Sequence, residues 1–234
     1  MTRRLHIGLA ALAVATAVAL LPAAGAGFDP ACGGVETAKA RKNVNPGGHP
    51  PLAIGDSTML LALPALSREG YQVNAHGCRQ IEEGLDVMRE MKKANRLPHL
   101  IVIALGADAS ISSGQMAKAF HIAGPKRVLG LVTPLELGGG TSGDADVVRA
   151  AAKRHPKRSV LLDWVAYSSG HSDWFQPDDL HLTFAGAEGF ARLLRQALPY
   201  ARAGAAPGQP PQGKSGLAPG MPAPANEPAA RGPR

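Results

Sequence analysis

Apolar runs at 52–54, around Val73, and at 100–105, 128–132 and 160–162 recur along the chain, separated by stretches of mixed character. The runs at 100–105 and 128–132 are apolar at every position, the pattern of strands buried on both faces. The stretches between them carry helical spacing. Residues 58–68 follow the first run, and 79–95 place Ile81, Leu85, Met88 and Met91 on one face. Residues 114–122 and 145–154 fill the next two gaps. After His181 a last helix is predicted, with Thr183 as N-cap and Phe190, Leu193, Leu194, Ala197 and Leu198 on its buried side. Strands alternating with helices predict an α/β domain with a mainly parallel sheet covered on both faces. In such sheets ligands bind at the carboxyl ends of the strands. Ser57, the 74–79 loop, Asp108 and the segment 174–181 all follow strand ends or precede a helix, so one edge can gather them. No internal repeat is present.

The two ends of the chain read differently. Residues 1–26 have the form of a secretory signal peptide: Arg3 and Arg4, then an uncharged apolar stretch over 7–21, then Ala24-Gly25-Ala26 as an A-x-A cleavage site. The stretch is short for a bilayer span, so no stable membrane insertion is expected after cleavage. Residues 27–48 are expected to be an irregular N-terminal segment. Residues 203–234 are almost all Ala, Pro, Gly and isolated polar residues, with Leu217 and Met221 the only large apolar side chains. Such a segment cannot bury enough surface to offset its ordering entropy and is expected to be a disordered tail. Residues 49–202 are left for one domain, long enough to build a full core.

Charge and cysteine content narrow the partners. Loss of the leader removes two arginines and no acids, taking the formal charge from +7 to +5 (23 basic minus 18 acidic). The basic residues are dispersed, and five Phe, three Tyr and two Trp offer few stacking surfaces. That argues against nucleic acid and leaves loose attraction to an acidic cell envelope. Cys32 and Cys78 are the two cysteines. In an exported chain they allow a single disulfide, with two independent buried thiols as the alternative. The expected location is outside the cytoplasm, secreted or periplasmic, and the chain is taken as a monomer.

The candidate chemistry lies in two short motifs. Gly55-Asp56-Ser57 closes the first apolar run, and Asp178-Asp179-Leu180-His181 precedes the last helix. A serine at the start of a helix can be a nucleophile or simply an N-cap. A histidine near neutral pKa can take its proton, and a carboxylate three residues ahead can hold the other ring nitrogen. The sequence Gly55-Asp56-Ser57-Thr58-Met59 lacks the second glycine of the G-x-S-x-G elbow. His49, His76, His99, His121, His155 and His171 show no metal-ligand spacing.

With these residues the chain resembles the SGNH (GDSL-type) hydrolases. The matching blocks are Ile54-Gly55-Asp56-Ser57-Thr58, Gly77-Cys78-Arg79-Gln80, Leu105-Gly106-Ala107-Asp108-Ala109 and Asp178-Asp179-Leu180-His181-Leu182-Thr183. Arg79-Gln80, the run 102–106, Asp163-Trp164 and His181-Leu182-Thr183 are most similar to the SGNH domains attached to membrane acyltransferases of the acyltransferase-3 family. The likeness covers residues 51 to about 198. It implies a three-layer α/β/α sandwich, a Ser57–His181–Asp178 triad and an oxyanion hole built from Ser57, Gly77 or its neighbour Cys78, and the third block. It implies no metal and no cofactor. The third block departs from the family, because Asp108 stands where the family has an asparagine that donates to the oxyanion, and an ionised aspartate has no proton to give. Asp108 held protonated by burial, a substitute donor such as Arg79 or Asn74, or loss of catalysis would each account for it. The resulting expectation is a secreted serine esterase cleaving small, acetyl-like O-acyl esters, on envelope or extracellular glycans. An O-acyltransferase with the same triad and a non-catalytic glycan-binding module are the alternatives.

Overall fold

In a computed structural model of the chain, residues 32–141 and 143–207 are described. The expected leader and the tail beyond residue 207 lie outside them. Among the described residues six strands form one sheet in the order β1-β3-β2-β4-β5-β6: β1 (Val35–Ala38), β2 (Leu52–Gly55), β3 (Gln72–His76), β4 (Leu100–Ala104), β5 (Val128–Val132) and β6 (Ser159–Leu162). All neighbours run parallel except β1, which pairs antiparallel with β3, with Glu36 opposite Ala75.

Side-chain alternation assigns each strand residue to a layer. Ala53, Val73, Leu100, Val102 and Ala104 pack on one face with α1 (Leu63–Glu69), α5 (Trp164–Tyr167) and α6 (Phe184–Arg195). Leu52, Ile54, Ile101, Ile103 and Leu129 pack on the other with α2 (Ile81–Lys93), α3 (Ser113–Ala123) and α4 (Asp144–Arg154). This is the three-layer α/β/α sandwich expected from the sequence. The chain steps from β2 to β3 on one side and then to β4 on the other, so the carboxyl end of β2 is the switch point of the sheet. Ser57 lies two residues beyond it, after Asp56.

Three boundaries differ from expectation. Residues 57–69 are not one helix: Ser57–Ala62 is a 3₁₀ segment and α1 begins at Leu63. Pro64 lacks the N–H that an α-helix would direct at the carbonyl of Leu60, so the tighter helix precedes it. The 27–48 segment is not wholly irregular, because it supplies edge strand β1. The short sequence Val35-Glu36-Thr37-Ala38 carries little strand signal of its own; its pairing with β3 is anchored by the Cys32–Cys78 disulfide. At the other end, order continues past residue 202. His99 Nε2 lies 3.0 Å from the Ala205 carbonyl, and Pro207 is buried. Among the described residues no helix is long and apolar enough to cross a membrane.

Candidate active site

Asp56 builds the turn that presents Ser57. It is 1% exposed, caps the 3₁₀ segment, and its Oδ1 accepts from the Thr58 N–H at 3.1 Å and the Thr58 hydroxyl at 2.6 Å. Its Oδ2 accepts from the Ala107 N–H at 3.3 Å. Burial raises the Asp56 carboxyl above the usual carboxylate range, while the hydrogen bonds from Thr58 and Ala107 oppose the rise.

The segment 174–183 presents the acid and base. Phe175 bridges Leu182, the Gln176 N–H donates to the His181 carbonyl at 2.8 Å, and the Thr183 N–H donates to the Trp174 carbonyl at 2.9 Å. The loop is pressed onto α6 through Gly186, where a Cβ would come within 2.0 Å of the Trp174 carbonyl, so only glycine admits this approach. Trp174 stacks on Trp164 at 5.7 Å between ring centres, and Phe190 meets Trp164 edge-on at 5.1 Å. The Thr183 hydroxyl caps α6 by accepting from the Gly186 N–H.

Within this frame Asp178 is held at both oxygens. Oδ1 accepts from the Leu180 and His181 N–H groups at 3.1 and 3.0 Å, and Oδ2 lies 2.7 Å from His181 Nδ1. His181 Nε2 lies 2.9 Å from the Ser57 hydroxyl oxygen. With the proton on Nδ1 donated to Asp178, Nε2 is free to accept from the Ser57 O–H. The hydrogen bond to His181, with the backbone donors, draws the Asp178 carboxyl down to about 2, so it stays ionised beside the ring. Ser57, His181 and Asp178 are all half-buried. A hydroxyl, an imidazole and a carboxylate linked in this order can perform nucleophilic acyl transfer.

The remaining candidates are placed less simply. Gly77 and Cys78 form the turn at the end of β3, next to β2; Cys78 has a left-handed φ of 55° and is bonded to Cys32. A Cβ on Gly77 would lie 2.2 Å from the Cys32 carbonyl, so the disulfide segment packs directly on this turn. Asp108 follows Gly106 and Ala107 in the loop after β4, close enough for His181 to draw its carboxyl down electrostatically. The surrounding protein outweighs that pull and raises it above the ordinary range, although the residue as a whole is exposed.

Arg79 does not serve as a substitute oxyanion donor. It is 3% exposed, and its guanidinium donates to the carbonyls of Gly55 at 3.1 Å and Asn74 at 2.8 Å and to the Asn74 side chain at 2.7 Å. Those bonds tie the ends of β2 and β3 together. Asp163 is likewise a strut, gripped by Arg149 at 2.9 and 3.0 Å and by the Thr133 hydroxyl at 3.0 Å. Among the described residues no cluster of three or more His, Cys, Asp or Glu side chains is arranged to hold a metal ion.

Sequence reasoning did not single out Asp56 as the link between the first and third blocks. Its position one residue ahead of a hydroxyl pair, Ser57-Thr58, was the available signal for an Asx cap. It also passed over Glu36, Leu60 and Leu61, which line the cavity at Ser57 and His181. Nothing local marks those residues.

No family model matches the chain. The peptidoglycan O-acetyltransferase OatA of Listeria monocytogenes is 27% identical over 149 residues, covering 63% of this chain and 24% of that protein. The O-acetyltransferase OatA of Staphylococcus aureus is 23% identical over 164 residues, covering 68% of this chain and 26% of its own. The chain thus spans about a quarter of the length of the curated relatives it matches. Among solved structures, the C-terminal catalytic domain of peptidoglycan O-acetyltransferase A from Streptococcus pneumoniae superimposes with a TM-score of 0.56 at 24% identity, covering 66% of this chain and 94% of that one. An acetylxylan esterase from Geobacillus stearothermophilus superimposes with a TM-score of 0.51 at 13% identity, covering 65% and 95%. A putative SGNH hydrolase from Slackia heliotrinireducens superimposes with a TM-score of 0.52 at 16% identity, covering 64% of this chain and 98% of that one, so the fold is one that such hydrolases share with the O-acetyltransferase catalytic domain.

Proposed function

We propose that the protein is an SGNH-type serine enzyme that handles small O-acyl esters, acetyl above all, on glycans of the cell envelope, and that it works outside the cytoplasm as a monomer without metal or cofactor. The observation that carries this reading is the hydrogen-bonded series Ser57–His181–Asp178, with 2.9 and 2.7 Å links. Ser57 Oγ attacks the ester carbonyl as His181 Nε2 takes its proton. Asp178 holds the ring and stabilises the imidazolium. His181 then returns the proton to the leaving alcohol, and an acyl-Ser57 intermediate remains. The Ser57 N–H and a backbone N–H at the Gly77–Cys78 turn are the assigned oxyanion donors. The leader pattern and the Cys32–Cys78 disulfide support an oxidising compartment.

Release of the acyl group to water makes the enzyme an esterase, the first of two outcomes open to the acyl-Ser57 intermediate. The names of the relatives favour a second outcome, in which a sugar hydroxyl accepts the acyl group and the enzyme is an O-acetyltransferase. Labelling with a fluorophosphonate probe, followed by turnover of p-nitrophenyl acetate with and without added sugar acceptors, tests both. A single labelled serine at position 57 supports the enzyme. Acetylated sugar forming faster than free acetate selects the transferase, and absence of both labelling and turnover overturns the catalytic reading.

A further inference from the structure

The groove that opens at Ser57 does not end there. A cavity of about 370 Å³ touching Ser57 and His181 shares Glu36, Leu60 and Leu61 with a second, of about 480 Å³, that runs on to Arg68, Phe184 and Glu188. Each lies within the roughly 300–1,000 Å³ typical of ligand sites. Leu60 and Leu61 are half-buried and form the floor they share. Glu36, on edge strand β1, is exposed and lines both cavities. Phe184, the first residue of α6 and only three residues beyond His181, is 80% exposed. A lone exposed aromatic needs no explanation on an ordinary surface. This one is the most exposed large apolar side chain among the described residues, and it borders a groove that leads to the nucleophile.

The lining decides what the groove suits. An acyl chain needs apolar walls on all sides, and here it would strip water from Glu36 and from the Arg68–Glu188 ion pair without replacing their hydrogen bonds. A pyranose has an apolar face of C–H groups and a rim of hydroxyl donors. The face can lie on Phe184 and the leucine floor while the hydroxyls donate to the carboxylates. We propose that the groove from Ser57 over Leu60 and Leu61 to Phe184 holds the sugar chain that carries or receives the acyl group. Phe184 is its stacking platform, and Glu36 accepts its hydroxyl hydrogen bonds. The inference rests on the reading of Ser57 as the nucleophile of a glycan-directed enzyme, and it gives β1 a role in binding.

Chitotetraose, the β-1,4-linked tetramer of N-acetylglucosamine, is the probe, titrated into the Ser57→Ala protein so that no turnover intervenes. Calorimetry should give saturable binding, and NMR should show shifts at Glu36, Leu60, Leu61 and Phe184. Phe184→Ala should weaken binding at least about tenfold with an unchanged melting temperature, Phe184→Trp should retain it, and Glu36→Gln should weaken it severalfold. No saturable binding, shifts confined to another face, or indifference to Phe184→Ala overturns the proposal. So does saturable binding of decanoate to the same residues in place of the sugar. Fluorophosphonate labelling of the wild type separates the two proposals. A labelled Ser57 without sugar binding sinks the groove alone, and sugar binding without labelling keeps the groove and sinks the catalytic reading.

Discussion

Asp56 reaches from the end of β2 to the loop after β4, where its Oδ2 accepts a hydrogen bond from the Ala107 N–H at 3.3 Å. One buried carboxyl thereby fixes the distance between the turn that carries Ser57 and the loop that carries Asp108. Removing it leaves the Ala107 N–H and the Thr58 donors without their partner, a loss of roughly 1–3 kcal/mol for each buried group left unsatisfied. Asp56→Ala should therefore lower the melting temperature and reduce ester turnover together. A variant with full stability and full activity would show that the link carries neither.

The Ser57–His181 pair should behave as a unit. Ser57→Ala should abolish probe labelling, and His181→Ala should lower turnover by several orders of magnitude with the fold intact. Asp178→Asn should be the milder change, and Asp179→Asn should do little. Asp179 is exposed and sits at a φ of 56°, a conformation that asparagine also tolerates. Steady-state kinetics on p-nitrophenyl acetate check the order. Greater damage from the Asp179 change would mean the wrong carboxylate has been assigned.

The Asp178–His181 contact should also shape stability against pH. Its carboxyl is drawn from the ordinary 3.8 down to about 2 in the folded protein. A depressed folded value means the contribution is present above the ordinary value and is lost as pH falls from about 4 towards 2. Melting curves of wild type and Asp178→Asn should differ at pH 6 and converge near pH 2. A constant gap across that range would show that ionisation of Asp178 contributes nothing.

Asp108 should limit the rate. A single oxyanion donor is worth about 2.7–4 kcal/mol, or roughly 10² to 10³ in turnover, and an ionised carboxylate opposes the oxyanion instead. Burial raises the Asp108 carboxyl, so its neutral form persists to higher pH than in an ordinary aspartate and is lost as pH rises through that raised value. At pH 8, Asp108→Asn should be faster than wild type, and the advantage should shrink as pH falls. Parallel pH–rate profiles are the measurement. A fast wild type that Asp108→Asn damages at every pH would mean the carboxylate has a role of its own.

Reduction of the Cys32–Cys78 disulfide should cost about 2–4 kcal/mol of stability and loosen β1, which among the described residues pairs only with β3. Thermal melts with and without reductant give the first effect. Faster amide exchange at Val35 to Ala38 than in β3 on reduction gives the second. Unaltered protection of β1 would show that its strand pairing holds without the bridge.

The sheet, its two helical layers and the turn that pairs Asp178 with His181 were legible in the sequence because each rests on a local regularity. Continuous apolar runs at 100–105 and 128–132 have one good solution, a strand buried on both faces, and Asp178-Asp179-Leu180-His181 ahead of an amphipathic helix specifies its own turn. Tertiary structure alone decided the rest. Residues 35–38 become a strand because β3 offers an open edge and Cys32 is bonded to Cys78, 46 residues away. Arg79 could be a donor to substrate or a strut, and the carbonyls of Gly55 and Asn74 settle which. The groove joins β1, the turn after β2 and the start of α6, and no pattern within any one of them announces the others. A periodicity of two or 3.6 residues encodes which face of an element is buried, whereas the juxtaposition of Glu36, Leu61 and Phe184 depends on how three distant elements pack.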